Sequence, residues 1–306
     1  MKPLKKAARD YVALRRSLGF KLEWVPNSLA DFVRFLEKQR ADYITVPLAL
    51  EWAQRNQEVK PITAAGRLSV VRSFARYRSA TDPRTQIPPL GLLGCRSRRV
   101  PPYLYTDAET QSLLKAARQM PGLHGLTYYC LLGLLSVTGL RISEALSLRA
   151  QDVDLEQRML TIVATKFGKS RLVPIHSSTA EELTKYARER DRVFRRNLIY
   201  FFVTRRGNRF TAGAIRHVFH RLSRQIGLRS PNASHGPRLH DFRHSFAVKT
   251  LVNWYRSGEK VEQCLPVLST YLGHRNVTDT YWYLTACPEL LGLAVTRFER
   301  HWEGTR

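Results

Sequence analysis

Acidic side chains are scarce in this sequence. Its 306 residues carry 25 Asp and Glu against 50 Lys and Arg, a formal net charge of +25. So large an excess needs a polyanion to balance it, and nucleic acid meets that need better than a membrane surface. A membrane-binding chain gathers its basic residues on one amphipathic segment, whereas here they run through the whole chain. Cysteine is also sparse. Cys95, Cys130, Cys264 and Cys287 lie far apart with no CxxC pair, which argues against a zinc site and against a disulfide framework. Long apolar runs are missing too: Leu126 to Val137 is too short to cross a bilayer and includes Thr127, Tyr128, Tyr129 and Ser136, so it reads as a buried helix. The basic start Met1-Lys2-Pro3-Leu4-Lys5-Lys6 leads into no apolar signal core. Nor is there a Walker-type glycine loop, an acidic cluster suited to paired magnesium ions, an internal repeat or a low-complexity tract. A cytoplasmic, nucleoid-associated protein with no metal and no cofactor is expected.

What is present suggests two domains, since a domain typically spans about 100–200 residues. Residues 1–80 read as a small helical bundle. Leu4, Ala8, Tyr11, Leu14 and Leu18 form one stripe ending at Gly19, and Leu29, Phe32, Val33 and Leu36 form another opened by Ser28 and Asp31. A third helix begins near Pro47 with Thr45 as its cap, and a fourth covers Thr63 to Ser79. That fourth helix displays Arg67, Arg72 and Arg76, which suit either a DNA backbone or a solvated face. Residues 81–103 break every pattern with Pro83, Pro88, Pro89, Gly91, Gly94, Pro101 and Pro102, and carry Arg96, Arg98 and Arg99. They read as a basic interdomain linker.

The second domain, 104–306, opens with the capping box Thr106 to Glu109. The apolar helix follows and stops at Thr138-Gly139, and another helix begins near Arg141. Two strand-like runs, Met159 to Ala164 and Arg171 to His176, flank a basic tip containing Lys166 and Lys169. Helices then dominate: Thr179 to Arg190, Ala212 to Ile226, Leu239 to Trp254, Val261 to Leu272, and a tail helix over 288–300. The fold class expected is mainly α with a small antiparallel β-hairpin.

Several residues in this domain are equipped for phosphodiester chemistry. A pentacoordinate phosphoryl transition state gathers negative charge on its nonbridging oxygens, for which forked guanidinium donors are well suited. Arg141 has Glu144 one helical turn later, a spacing for orienting the guanidinium or for an ordinary ion pair. His240 and Arg243 are three apart, so both can face one phosphate; Asp241 and His244 beside them read as helix stabilisers. Lys166 can supply a proton to a leaving oxygen, with Lys169 competing for that role. His274 follows Gly273 at a helix end, and Thr280-Tyr281-Trp282-Tyr283 offers two phenols or an aromatic core cluster.

Read together, Thr138-Gly139-Leu140-Arg141-Ile142-Ser143-Glu144, then Leu239-His240-Asp241-Phe242-Arg243-His244, then Leu272-Gly273-His274 followed by Tyr283, resemble the boxes of the tyrosine recombinase (phage integrase) family over Leu104 to Leu290. The resemblance implies a two-domain clamp around DNA. It also implies Tyr283 as nucleophile, Arg141 and Arg243 on the phosphate, Lys166 as general acid, and His240 and His274 in proton transfer and phosphate binding, with Glu144 supporting Arg141. Tyr281 falls two residues short of the family position. Pro266 departs from the family's usual unbroken helix and is expected in that helix's first turn.

The implied activity is site-specific recombination or integration for a mobile genetic element, through a 3′-phosphotyrosyl intermediate that needs neither ATP nor metal. The implied partners are double-stranded DNA at specific sites, a homotetramer on two such sites, and accessory proteins. The tail helix has apolar residues enough either to dock on a neighbouring subunit or to fold back on its own core. A type IB topoisomerase-like enzyme and a non-catalytic DNA-binding module are the alternatives.

Overall fold

The computed structural model describes residues 2–55, 59–94, 101–163, 170–233, 235–274 and 276–303. The chain divides into two compact units, Met1–Val100 and Pro101–Arg306.

The first unit holds helices α1 (Lys2–Ser17), α2 (Val25–Lys38), α3 (Val46–Gln54) and α4 (Pro61–Ser79). Their apolar stripes meet around Phe32, Leu36, Trp52, Val71 and Phe74, all buried. Thr45 caps α3 as expected, accepting from the Leu48 amide at 3.4 Å. Ser28 caps nothing. Helix α2 starts three residues earlier, with Pro26 in its first turn. Asp31 instead accepts from Trp52 Nε1 at 3.2 Å and from Arg55, so a tertiary contact overrides the local capping signal.

The segment assigned to a linker, 81–103, divides between the units: residues 81–94 pack against the first, while Tyr103 packs against the core of the second. Gln86 donates its amide to Ile44 O at 2.8 Å and accepts from the Val46 amide at 2.9 Å. Buried Asp82 pairs with Arg78 and Arg84. Arg72 donates to Pro88 O at 2.7 Å and Pro89 O at 2.9 Å. Prolines leave backbone carbonyls without a repeating ladder, and the arginine supplies the missing donors. Arg96, Arg98 and Arg99 lie outside the described residues.

The second unit opens with α5 (Asp107–Arg118), started by the expected capping box between Thr106 and Glu109. Helix α6 (Gly122–Thr138) is the apolar run, begun four residues earlier than the sequence suggests and buried on nearly every side. It ends at Gly139 with φ of 60°. A Cβ there would sit 2.7 Å from the Phe246 ring, so glycine answers both to the backbone and to its neighbour. A four-residue helix follows, α7 (Ile142–Ala145).

Strands β1 (Val153–Asp154), β2 (Met159–Ile162) and β3 (Arg171–Pro174) make an antiparallel sheet in that order, with Met159 opposite Pro174 and Ile162 opposite Arg171. The hairpin is shorter than its sequence pattern, and β1 adds a strand not expected. Leu160, Ile162 and Val173 turn into the core. Lys166 and Lys169 fall outside the described residues. Helices α8 (Ser177–Phe194), α9 (Ala212–Gln225), α10 (Asp241–Arg256), α11 (Val261–Leu272), α12 (Thr278–Ala286) and α13 (Pro288–Glu303) complete the unit. The fold is mostly helical with one small antiparallel sheet.

Pro266 lies in the interior of α11, deeper than its first turn. The tail helix α13 folds back on its own chain: Leu290 is buried with Leu251, Leu265 and Cys287, and Arg256 pairs with Glu289 at 2.5 Å. Among the described residues no helix is long and apolar enough to cross a membrane, and Cys130, Cys264 and Cys287 are free thiols.

Candidate active site

The carboxyl end of α11 organises the centre of the second unit. The last carbonyls of a helix have no partner within it and carry the negative end of the helix dipole. Three consecutive carbonyls there each receive a different arginine. Arg171 Nε donates to Tyr271 O at 2.7 Å, Arg243 Nη2 to Leu272 O at 2.6 Å, and Arg141 Nη2 to Gly273 O at 3.0 Å. The three come from β3, α10 and the turn before α7. One helix end therefore gathers guanidiniums that lie far apart along the chain.

Further bonds lock each of them. Arg243 Nη1 donates to Gly139 O at 2.9 Å, and the residue is 2% exposed. Burial, with Arg141 nearby, pulls its guanidinium down to about 10, so it stays cationic at neutral pH. Arg141 pairs with Glu144 Oε1 at 2.8 Å, while its amide donates to Glu144 Oε2 at 3.0 Å. Burial alone would raise the Glu144 carboxyl, but hydrogen bonds and charge from Arg171, joined by Arg141, hold it below its ordinary value. The bonds named occupy two of the five N–H donors on each guanidinium of Arg141 and Arg243, leaving others for an anion.

Gly273 ends α11 in the left-handed region with φ of 67° and turns the chain so that His274 faces the arginines. His274 Nδ1 lies 2.8 Å from Thr280 Oγ1, a contact that fixes the ring and leaves the other nitrogen for exchange. Burial, reinforced by Arg243 and Arg141, pushes its imidazole down to about 3 and keeps it neutral.

Helix α12 then presents the two phenols on different faces. Tyr283 is 2% exposed and its ring stacks on His274 at 6.1 Å between centroids; Tyr281 is 49% exposed. Burial raises the Tyr283 phenol above its ordinary value, against the pull of the Arg243 guanidinium beside it and of Arg141. Of the two, Tyr283 is the phenol that joins the cationic cluster. His240 keeps solvent access, yet loss of hydration, followed by the charge of Arg243, lowers its imidazole.

Arg141, Glu144, His240, Arg243, His274 and Tyr283 thus come together from four segments of the chain. Lys166 cannot be placed with them, since it lies outside the described residues. Arg67, Arg72 and Arg76 belong to the first unit. Arg67 is half-buried over the Trp52 ring at 5.9 Å, Arg72 is engaged by proline carbonyls, and Arg76 is exposed.

Two residues emerge that sequence reasoning passed over. Arg171 figured there as the first residue of a strand. His244, read as a helix stabiliser, packs between His240 at 4.7 Å and Tyr283 at 5.5 Å, ring to ring. Burial pushes its imidazole down to about 4, and among the described residues its buried Nδ1 has no hydrogen-bond partner. Its adjacency to Arg243 was the available signal. Among the described residues no group of His, Cys, Asp and Glu could hold a metal ion.

Comparison with known proteins converges on one family. The profile of the Phage integrase family matches residues 104–289. A putative integrase/recombinase of Sinorhizobium fredii, y4rB, is 51% identical over 311 residues, 99% of each chain. Among solved structures, the Tn1549 transposon integrase in complex with transposon right end DNA aligns with a TM-score of 0.68 at 18% identity, covering 96% of this chain and 98% of that one. The XerH site-specific recombinase bound to its palindromic difH substrate gives 0.67 at 20% identity, covering 89% and 78%.

Proposed function

Because the chain belongs to the phage integrase family, whose tyrosine recombinases break and rejoin DNA strands, we propose that it recombines double-stranded DNA at specific sites with Tyr283 as its nucleophile. The observation that carries this reading is the burial of Tyr283 against His274 and Arg243 while Tyr281 points to solvent. In the proposed reaction the Tyr283 oxygen attacks the scissile phosphorus. The bond from phosphorus to the 5′ oxygen breaks, and a 3′-phosphotyrosyl ester forms. Arg141 and Arg243 hold the nonbridging oxygens as charge builds on them. The phenolic proton leaves by way of His240 or His274, and Lys166 protonates the departing 5′ oxygen.

A 5′-hydroxyl from a partner strand then attacks the ester and frees Tyr283. One ester replaces another at each step, so the exchange proceeds without ATP and without a metal ion. Exchange between two duplexes needs paired sites, hence the proposal of a tetramer, with accessory proteins joining at some sites. The net charge of +25 supports phosphate-dominated binding, and Arg67, Arg76, Arg96, Arg98, Arg99 and Lys169 are proposed to contribute to it.

A nicked duplex carrying the ends of the mobile element tests the reading. The nick lets the short cleaved strand diffuse away, so a covalent protein–DNA band accumulates in EDTA. Tyr283→Phe is expected to abolish the band and Tyr281→Phe to keep it. Loss of the band with Tyr281→Phe alone would overturn the assignment, and supercoil relaxation without two-site exchange would favour a topoisomerase.

A further inference from the structure

Arg171 spends its side chain inside the cluster, on Glu144 and the Tyr271 carbonyl. Its side chain is 10% exposed and that of Glu144 6%. Besides reaching Tyr271 O, it grips both carboxylate oxygens, Nη1 on Oε1 at 3.2 Å and Nη2 on Oε2 at 2.9 Å. Gly273 is shaped around it, for a Cβ there would lie 2.8 Å from Arg171 Nη1. Glu144 consequently serves two guanidiniums at once: each of its oxygens accepts one bond from Arg141 and one from Arg171.

The charge count gives this sharing a purpose. Arg141 with Glu144 alone is a neutral pair, with little pull on an anion. Adding Arg171 makes a group of two cations and one anion, which keeps one net positive charge around Arg141. Resting on the recombinase reading above, we propose that Arg171 is a positioning residue for strand cleavage. It draws half of the Glu144 carboxylate away from Arg141, keeps Arg141 available to the phosphate, and holds the α11 end in register with β3. A small displacement of a catalytic group costs on the order of 10²-fold in rate.

Single-turnover trapping on the nicked duplex, with binding and melting measured in parallel, tests this. Arg171→Met is expected to slow trapping on the order of 10²-fold while DNA affinity changes little, and Arg171→Lys to lie between it and wild type. Adding Glu144→Gln to Arg171→Met removes the carboxylate that now neutralises Arg141 and restores one net positive charge, so the double variant is expected to recover several-fold of the lost rate despite losing a second partner. A purely structural Arg171 gives the opposite result, a double variant slower than either single one, and that outcome overturns the proposal. So does an Arg171→Met protein that traps at the wild-type rate. Rescue of Arg171→Met by a 5′-bridging phosphorothiolate, whose leaving group needs no proton, would also overturn it by routing the defect through the general acid. Failure of the wild type to trap at all would instead sink the recombinase reading.

Discussion

The arginines at the carboxyl end of α11 and those along α4 carry the same charge under opposite conditions. Arg243 is buried, with carbonyls of Leu272 and Gly139 fixing its fork. Arg76 on α4 is exposed, and Arg72 beside it has been diverted to Pro88 and Pro89. A cation that is to stabilise charge appearing in a transition state gains from being held in advance, since no reorganisation is then needed. One that tracks a phosphate backbone needs only to be near it and hydrated. The contrast separates residues proposed to cut from residues proposed to bind.

Replacing Arg243 breaks the contrast most severely. Arg243→Met is expected to reduce single-turnover cleavage by on the order of 10²–10³-fold, with Leu272 O and Gly139 O left unpaired and DNA affinity changed far less. Equal losses in rate and affinity would place Arg243 with the binding arginines.

Gly273→Ala strikes the helix end itself. A left-handed alanine costs about 1–2 kcal/mol, or roughly 2–8 °C of melting temperature in a unit of this size, before the approach to Arg171 is counted. Cleavage is expected to fall with it, whereas Gly66→Ala inside α4, where an added Cβ meets nothing within 4 Å, is expected to raise melting slightly and leave cleavage unchanged.

The histidines sharpen the comparison through pH. His274 and His244 are lowered to about 3 and about 4 by burial, with neighbouring cations for His274 and His240 for His244 adding to it. Unfolded imidazoles titrate near 6.5. Above that value neither state binds the proton and their stability is fully present. As pH falls below about 6.5 the unfolded chain takes up protons that the folded one refuses, so stability drops progressively toward pH 4 and 3. The charged groups acting on His244 are His240, Asp241, Arg238 and Arg243, and the Tyr283 ring packs against it. Urea midpoints at pH 7 and pH 5 are expected to differ, and to differ less in His244→Phe.

The smallest effects are expected on α4. Arg76→Ala should lower the slope of log affinity against log salt by about one and leave melting unchanged. Arg72→Ala should do the reverse, melting lower with the salt slope kept, because its donors hold the segment that follows α4.

The sequence was readable where the signal was local. Thr45, the Thr106 to Glu109 box, and Gly139 and Gly273 at their helix ends announce structure within one turn. The site residues were readable through their boxes, each a few residues long. Arg171 was not, because its partners Glu144 and Tyr271 are 27 and 100 residues away. Helix α12 also escaped notice, since Thr278–Ala286 mixes apolar and polar residues without a clear stripe. Ser28 misled, as its capping partner Asp31 had a tertiary role.

The central claim is that the buried phenol gathered at the α11 end performs the attack. Its most direct measurement is the site of the DNA link. Protein trapped on the nicked duplex, digested with trypsin and sequenced by tandem mass spectrometry, should carry the phosphate adduct on Tyr283 within the peptide that begins at Asn276. An adduct on Tyr281, or on any residue outside α12, would contradict the account.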